Sequence, residues 1–158
     1  MIKYEYLGFI NISNHTLTPE QKQGLKAQYG DLVEIVFPEN LKEKWGNLSP
    51  ENYKEVCTQI NEYISRFVKD LKWREKIIVH VAGMMPAVIE LLARTNIADN
   101  VVYVYSYTER KSVEKVLKDG TIQKTAIFEH KGWFEYLNIG STINSANHSG
   151  IQGGTYYY

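Results

Sequence analysis

Two apolar runs constrain the fold more than any other feature of this chain. "IIVHVA" occupies residues 77–82 and "VVYVY" occupies residues 101–105, and both runs are apolar on both faces. Strands of this kind lie at the centre of parallel sheets that helices cover on each side. The segment between the two runs, "PAVIELLARTN", supplies the crossover helix that parallel strands need. The sequence therefore predicts an α/β fold.

The first half of the chain continues the same alternation of strand and helix. Residues 6–12, "YLGFINI", and residues 32–37, "LVEIVF", are predicted strands. Between them, Thr18 and Gln21 have the spacing of a capping box and mark the start of a helix. The clearest helix opens near Ser49, because apolar residues follow it at steps of three and four. The predicted order is β-α-β-α-β-α-β, as in a parallel α/β sheet.

The C-terminal part of the chain has a different texture. Asp119-Gly120 lies between two alternating segments, which is a strong hairpin signal. We therefore predict that residues 1–136 form an open, mostly parallel Rossmann-like sheet with flanking helices and a C-terminal β-hairpin. Residues 137–158 contain no Asp, Glu, Lys or Arg. This segment is expected to be a flexible or loosely docked tail, with its terminal tyrosines as an anchor.

The charge composition narrows the choice of partners. Lys plus Arg and Asp plus Glu each number 18, so no net field attracts long nucleic acid or acidic membranes. Cys57 is the single cysteine, and the start "MIKYEYLGF" lacks the pattern of a secretory signal. No run approaches 18 apolar residues. We expect a soluble, cytoplasmic protein.

Ligands of open parallel sheets bind beyond the carboxyl ends of the strands, near a switch in strand order. Polar side chains concentrate after the first and the fourth predicted strand. The four segments that qualify, each interpreted as a loop after a strand, are residues 13–16, 38–39, 83–85 and 106–112.

Common cofactor motifs are absent from these places. The first turn has no glycine, whereas a dinucleotide fold needs G-x-G-x-x-G there, and the sequence contains neither a Walker lysine motif nor a nucleophile elbow. Zinc needs clustered Cys and His, but the four histidines are far apart in sequence. The four histidines are His15, His80, His130 and His148. We therefore expect no cofactor and no metal.

The first polar corner, "SNHT", has two interpretations. Asn and Ser are common turn formers, because their side chains bond to their own backbone. Alternatively, Asn14 contacts the edge of a ligand while His15 exchanges a proton near neutral pH.

Other candidate residues can also be interpreted in two ways. Arg110 and Lys111 are either a solvated pair or a phosphate clamp. Met84 and its neighbour are more typical of core filler than of a base-stacking surface. His80 is expected to be a satisfied core histidine, and His130 to face the surface or a partner.

Several motifs occur together in a recognisable order. "SNHTLTPEQ" is followed by "FPENLKEKW", "LSPE", "YTERKSVEK", "DGTI" and "FEHKGWFEY". In this order they resemble a small CRISPR-associated Csx family of type III systems, among the proposed ring nucleases. The resemblance spans about residues 7–136, and the Asn-His-x-Leu-Thr corner and the Asp-Gly hairpin are its most specific parts.

The resemblance implies a CARF-like homodimer that binds a cyclic oligoadenylate, the tetramer by expectation. It also implies cleavage of that messenger to linear products, which switches off the antiviral effectors. Chemistry by a ribose 2′-hydroxyl would need no metal. The catalytic candidates are His15, Arg110 and Lys111, and the ligand-binding candidates are Ser13, Asn14, Gly83, Met84, Ser106, Thr108 and Glu109.

One loop departs from the family pattern. The family has a glycine followed by an acidic residue after the third strand, where this chain has Gly83-Met84-Met85-Pro86. Two rival functions use the same loops. One is a binding protein without turnover, either a sponge or a sensor, and the other is an unrelated nucleotide-handling α/β enzyme.

Overall fold

The computed structural model describes residues 3–94 and 100–136. The predicted tail, residues 137–158, lies outside the described residues. None of the described helices is both long and apolar enough to cross a membrane. The elements are β1 (Glu5–Ile12), α1 (Pro19–Tyr29), β2 (Val33–Ile35), α2 (Glu39–Gly46), α3 (Tyr53–Val68), β3 (Glu75–Val81), α4 (Met85–Ala93), β4 (Val101–Val116) and β5 (Ile122–Glu135).

The sheet has five strands in the order β2-β1-β3-β4-β5. The first four are parallel, and β5 returns antiparallel to β4. The predicted α/β class, mostly parallel sheet and C-terminal hairpin are therefore confirmed. β3 lies between β1 and β4 and pairs with both.

The helix α1 covers one side of the sheet, which we call the α1 side. Its capping box forms as predicted: the Gln21 amide donates to Thr18 Oγ1 at 3.2 Å, and Gln21 Oε1 accepts from the Thr18 amide at 2.9 Å. Leu25 is the one buried residue of this helix. The small core beneath it comprises Phe9, Leu25, Ile78, Val104 and Trp133.

The other side of the sheet, the α3 side, carries the larger core under α2, α3 and α4. The apolar stripe of α3 enters this core as its spacing predicts, because helix positions three and four apart share a face. Phe67 is an exception, since it is 40% exposed at the end of the helix. The buried members of the stripe are Val56, Cys57, Ile60, Ile64 and Val68.

The strand β4 continues far beyond the sheet. Residues 106–112, predicted to be a loop, are part of this strand, which pairs with β5 as far as Val116. The prediction was wrong because this alternating segment is mostly polar, as a loop would be. Here the polar residues belong to a part of β4 that pairs only with β5. The turn at Asp119-Gly120 is confirmed, and Gly120 has the positive φ of 86° that such a turn requires. We call residues 106–132 the arm.

Candidate functional site

The order in which strands are added to the sheet switches sides between β1 and β3. β2 lies to one side of β1, while β3 and β4 follow on the other side. A crevice for ligands is expected at such a switch point, beyond the carboxyl ends of the strands. Residues 13–18 leave β1 here and lead into α1, so the polar corner of the sequence lies at the expected place.

The corner is fastened to β1 by Asn11. Its Nδ2 donates to the His15 carbonyl at 2.8 Å, and its Oδ1 lies 2.7 Å from Ser13 Oγ, which donates to it. The His15 amide in turn donates to Ser13 Oγ at 3.2 Å. Ser13 is almost fully buried, so the turn-forming role applies to this residue. The His15 side chain remains exposed at the surface of the corner.

The same asparagine shows that Nδ1 is a protonated nitrogen of the His80 ring. Asn11 Nδ2 donates to the His15 carbonyl, which identifies the other end of the amide, Oδ1, as an acceptor. His80 Nδ1 lies 2.8 Å from this oxygen and must therefore donate to it. Nδ1 of His80 therefore carries a proton in either protonation state of the ring. Burial, with a smaller contribution from nearby His15, lowers the pKa of His80 to about 4. The prediction of a satisfied core histidine is confirmed.

A second polar group joins the arm to α1. Ser106 Oγ lies 2.7 Å from His130 Nδ1 and accepts from Gln21 Nε2 at 3.1 Å. Trp133 Nε1 donates to the Gln21 carbonyl at 2.9 Å, and its ring contacts both His80 and His130. His130 is half-buried rather than on the surface, and burial lowers its pKa. Its Nε2 faces α1 without a partner among the described residues.

A cleft of about 510 Å³ opens beside the corner, between α1, the end of β2 and the start of α2. Its floor includes Phe9, Leu17 and Leu25, and the corner contributes Ser13 and His15. Charged residues form its rim. Lys26 forms an ion pair with Asp31, at 3.4 Å. Lys22 and Lys42 make no ion pair with any described residue.

The loop after β3 packs closely against Trp45 at Gly83. A Cβ on Gly83 would lie 2.8 Å from Trp45 Nε1, so only glycine allows this contact, and Trp45 Nε1 donates to the Ala82 carbonyl at 3.0 Å. Met84 packs against the core, consistent with a filler role. The Asn14 amide lies against Gly46 at the end of α2. Packing against Trp45 thus explains the glycine at position 83, and the ligand-binding role of Gly83 and Met84 stays a prediction.

The arm separates the remaining predicted residues onto two faces. Ser106, Thr108 and Arg110 alternate with their neighbours and lie on the α1 side, whereas Glu109 and Lys111 lie on the α3 side. Lys111 pairs with Glu129 at 2.9 Å. The predicted cooperation of Arg110 with Lys111 on one phosphate therefore does not fit one chain. Lys131 completes the ion-pair cluster, at 3.5 Å from Glu109 and 3.2 Å from Glu129.

Arg110 is a free cation. It makes no ion pair or hydrogen bond with a described residue, although charged neighbours surround it in sequence. The two lysines that flank Glu129 lower the pKa of that carboxyl, Lys111 more than Lys131, and so hold it in its charged form. Near the base of the arm, the α3 side therefore carries a complete ion-pair cluster, whereas Arg110 on the α1 side makes no ion pair with a described residue.

Several residues of this region had no signal in the sequence strong enough to single them out. Asn11 is a polar residue on the inward face of an apolar strand, and this was the one available sign. The pairing of Ser106 with His130 depends on hairpin register, which a single sequence does not fix. Within the described part of the chain, no three His, Cys, Asp or Glu side chains are grouped as metal ligands would be.

Comparison with known proteins gives one informative result. No curated protein and no solved structure shows detectable similarity to this chain. The profile of a family described as the uncharacterized protein MJ1673 family matches residues 8–134, which cover the sheet apart from the first three residues of β1 and the last residue of β5, and include the whole arm. The chain therefore belongs to the MJ1673 family.

Proposed function

We propose that this protein is a ring nuclease that binds a cyclic oligoadenylate, the cyclic tetramer, and opens it to linear products. The cleft beside the corner carries the proposal: its apolar floor suits a purine base, and its unpaired lysines suit phosphate, although the carboxylates of Glu34 and Glu39 share its lining. The order of motifs that resembles the Csx family supports the assignment to type III CRISPR systems. Opening the ring would end the signal to the antiviral effectors.

The reaction needs only groups of the substrate and a few side chains. A ribose 2′-hydroxyl attacks the adjacent phosphorus in line, and the bond from phosphorus to the 5′-oxygen breaks. The 2′-oxygen loses a proton and the 5′-oxygen gains one, so the ends are a 2′,3′-cyclic phosphate and a 5′-hydroxyl. Neither water nor a metal is consumed. The protein must hold the sugar in line and stabilise the charge on the phosphorane.

His15 and Arg110 have the chemistry for these two tasks. His15 is exposed on the wall of the cleft, where its imidazole can take the proton from the hydroxyl or supply one to the leaving oxygen. The unpaired guanidinium of Arg110 can donate to two phosphate oxygens at once. Ser13 acts indirectly, since its hydroxyl holds the backbone of the corner.

A two-fold dimer matches the symmetry of the proposed ligand. A cyclic tetranucleotide has two-fold symmetry, and an isologous dimer presents each loop twice about its axis. In this arrangement, both corners and both arms face one shared cleft. Four phosphates need only a local set of cations, so the zero net charge of the chain is no obstacle.

A binding protein without turnover is the alternative, and one distance favours it. Ser13 and Ser106 lie in the same layer of the sheet, as the registers of β1, β3 and β4 indicate. Arg110 is four residues farther along the arm, about 13 Å at 3.3 Å per residue. With two strand spacings between β1 and β4, the corner and Arg110 of one chain are about 16 Å apart. These are Cα positions, so a single chain brings both groups to one phosphate only if the two side chains extend towards each other.

Ring opening is tested by incubating the protein with cyclic oligoadenylates of each size in EDTA and separating the products by chromatography. His15→Ala should retain binding but lose about 100-fold or more in single-turnover rate, as expected for a general acid or base. Arg110→Ala should weaken affinity by about 1.5–3 kcal/mol, the range for hydrogen bonds to charged groups. Lys118→Ala, at the exposed tip of the arm, is the matched control and should behave like the parent.

The possible outcomes separate the functions. A protein that binds a ring tightly but never opens it is a sponge or a sensor. A His15→Ala protein that cleaves at the parental rate removes His15 as the acid or base. A protein that binds none of the rings contradicts the proposed function altogether.

A further inference from the structure

The α3 side of the sheet carries exposed aromatic side chains at the root of the arm. Tyr105, Tyr107 and Phe134 share the face of Tyr103, which lies in the larger core. Their side chains are 37%, 46% and 48% exposed. The rings of Tyr105 and Phe134 stack with centroids 6.0 Å apart, and Tyr107 meets Phe134 edge-on at 6.1 Å. We call Tyr105, Tyr107 and Phe134 the aromatic shelf.

The helix α4 borders this shelf with an apolar flank. α3 leads into β3 and α4 leads from β3 to β4, so α4 lies nearer to β5 than α3 does. Arg94, at the end of α4, donates to Thr58 Oγ1 and to the Lys54 carbonyl of α3. Met85 begins the same helix, about half a turn away around its axis at about 3.6 residues per turn, and therefore faces away from α3. Met85 and Ile89 are both exposed on this flank.

The shelf and its border form an apolar surface that calls for a covering. At about 200 Å² for a whole aromatic side chain, the shelf leaves roughly 250 Å² of aromatic surface in water. The two exposed side chains of α4 extend this surface without adding a charge. A contiguous apolar patch of several hundred Å² is typical of an interaction site.

The path of the chain leads to this surface. Tyr136, the last described residue, donates from its amide to the Tyr103 carbonyl at 2.9 Å and from its hydroxyl to the Val81 carbonyl at 2.8 Å. Its ring lies 4.9 Å from that of Tyr105, between centroids. Residues 137–158 therefore start at the edge of the shelf, and at up to about 3.3 Å per residue they can cross it easily. A tether this short gives an effective concentration in the millimolar range, which favours this segment over a free partner.

The composition of residues 137–158 suits an apolar surface. Every Asp, Glu, Lys and Arg of the chain lies before this segment. About a quarter of residues are charged in an average domain, so a segment of this length would carry about five charges. A segment without charges covers an apolar surface without the cost of desolvating a charged group. Its larger apolar and aromatic residues are Leu137, Ile139, Ile143, Ile151, Tyr156, Tyr157 and Tyr158.

We propose that residues 137–158 pack onto the aromatic shelf of their own chain. The segment holds the root of the arm against α4 and so fixes the direction in which the arm leaves the sheet. The cleft lies beside β1 and β2, whereas the shelf lies on β4 and β5, at the other end of the strand order. The inference therefore does not rest on the proposed function.

Deletion of residues 138–158 tests the contact through stability. The entropy of ordering the segment offsets part of the gain from covering the shelf, so the deletion should lower the urea midpoint of the parent by about 0.5–1 M. Phe134→Ser removes one ring of the shelf and should reduce this shift to less than half. Phe128→Ser, at a residue 67% exposed on the other face of the same strand, is the matched control and should show the full shift.

The results that contradict the contact are distinct. A deletion that leaves the midpoint of the parent unchanged overturns the inference. A deletion with the same effect in the parent, in Phe134→Ser and in Phe128→Ser also overturns it, because the segment would then stabilise some other part of the protein. Circular dichroism checks that each variant is folded. If Phe134→Ser does not fold, Tyr107→Ser takes its place in the cycle, since Tyr107 lies farther from the core.

Cross-linking tests the proximity directly. Met85→Cys is combined in turn with a cysteine at Ile143 or at Tyr157, and Lys22→Cys, at the rim of the cleft, replaces Met85→Cys in the control pairs. The natural Cys57 is fully buried and burial raises its pKa to about 11, so it does not compete. With a short bis-maleimide, at least one of the Met85→Cys pairs should link within a single chain at about tenfold or more the yield of its control.

Other occupants of the shelf give different results. Equal yields for the Met85→Cys and Lys22→Cys pairs overturn the inference. Links between two chains, or a dimer in sedimentation that Phe134→Ser dissociates, mean that a second copy occupies the shelf, which overturns it as well. A protein that shows the predicted links and midpoints but opens no ring refutes the proposed function alone.

Discussion

Acid should destabilise this protein through one buried histidine. His80 is 6% exposed, donates from Nδ1 to Asn11, and has its pKa lowered from its ordinary value of 6.5 to about 4. Because the folded state binds a proton less readily than the unfolded chain, protons favour unfolding. The stabilisation is fully present above pH 6.5 or so and is lost as the pH falls towards 4. The complete effect is about 3 kcal/mol, from 1.36 kcal/mol per pKa unit.

Urea unfolding between pH 7 and pH 5 measures this effect. The linkage relation gives a loss of about 2 kcal/mol in the free energy of unfolding over that range from His80 alone. His80→Asn keeps a donor towards Asn11 but does not titrate, so its stability should fall by about 2 kcal/mol less than that of the parent. Ile78→Val, on the same strand and the same side, is the control for lost packing and should follow the pH dependence of the parent.

The result that would refute this reasoning is simple. If the parent and His80→Asn lose the same stability between pH 7 and pH 5, then His80 accepts a proton in the folded state as easily as in water. Burial of the imidazole would then not disfavour its charged form, and the explanation of its lowered pKa would be wrong.

Two further predictions concern the loop after β3 and the C-terminal segment. Gly83→Ala should lower the stability by about 1–3 kcal/mol, because its Cβ would overlap the indole of Trp45, and Trp45→Leu in the same chain should recover part of the loss in a double-mutant cycle. Additive losses would contradict this explanation. Deleting residues 138–158, which lack charge and lie outside the family match, should leave ring binding nearly intact in calorimetry. Loss of binding would mean that this segment covers the site.

The sequence predicted the parts of the fold that depend on local patterns. The capping box at Thr18 and Gln21, the buried strands and the Asp119-Gly120 turn all follow from residues close in sequence, and each is confirmed. The position at which β4 ends could not be predicted from such local patterns. The segment after Tyr105 is polar because it lies outside the core, and polarity had been interpreted as a loop.

The candidate site was predictable in part, for a related reason. The corner at Ser13 and His15 lies at the switch point, as expected for a parallel sheet. Its contacts with Asn11 and His80 depend on which strands are neighbours, and a single sequence carries no direct sign of strand order. The placement of Arg110 opposite Phe128, on the other face from Lys111, depends on hairpin register in the same way.

The way in which α1 is attached has a consequence for the order in which the chain folds. This helix buries only Leu25. Its hydrogen bonds to the rest of the protein come from Gln21, which bonds to Ser106, 85 residues away, and to Trp133, 112 residues away, and from Gln28, which also bonds to Trp133. Contacts across such separations form slowly, since long loops must close first. During synthesis, α1 must therefore wait for β5 before these hydrogen bonds can form. The α3 side of the core closes earlier, and the α1 side, which carries the cleft, is the final part of the domain to become native.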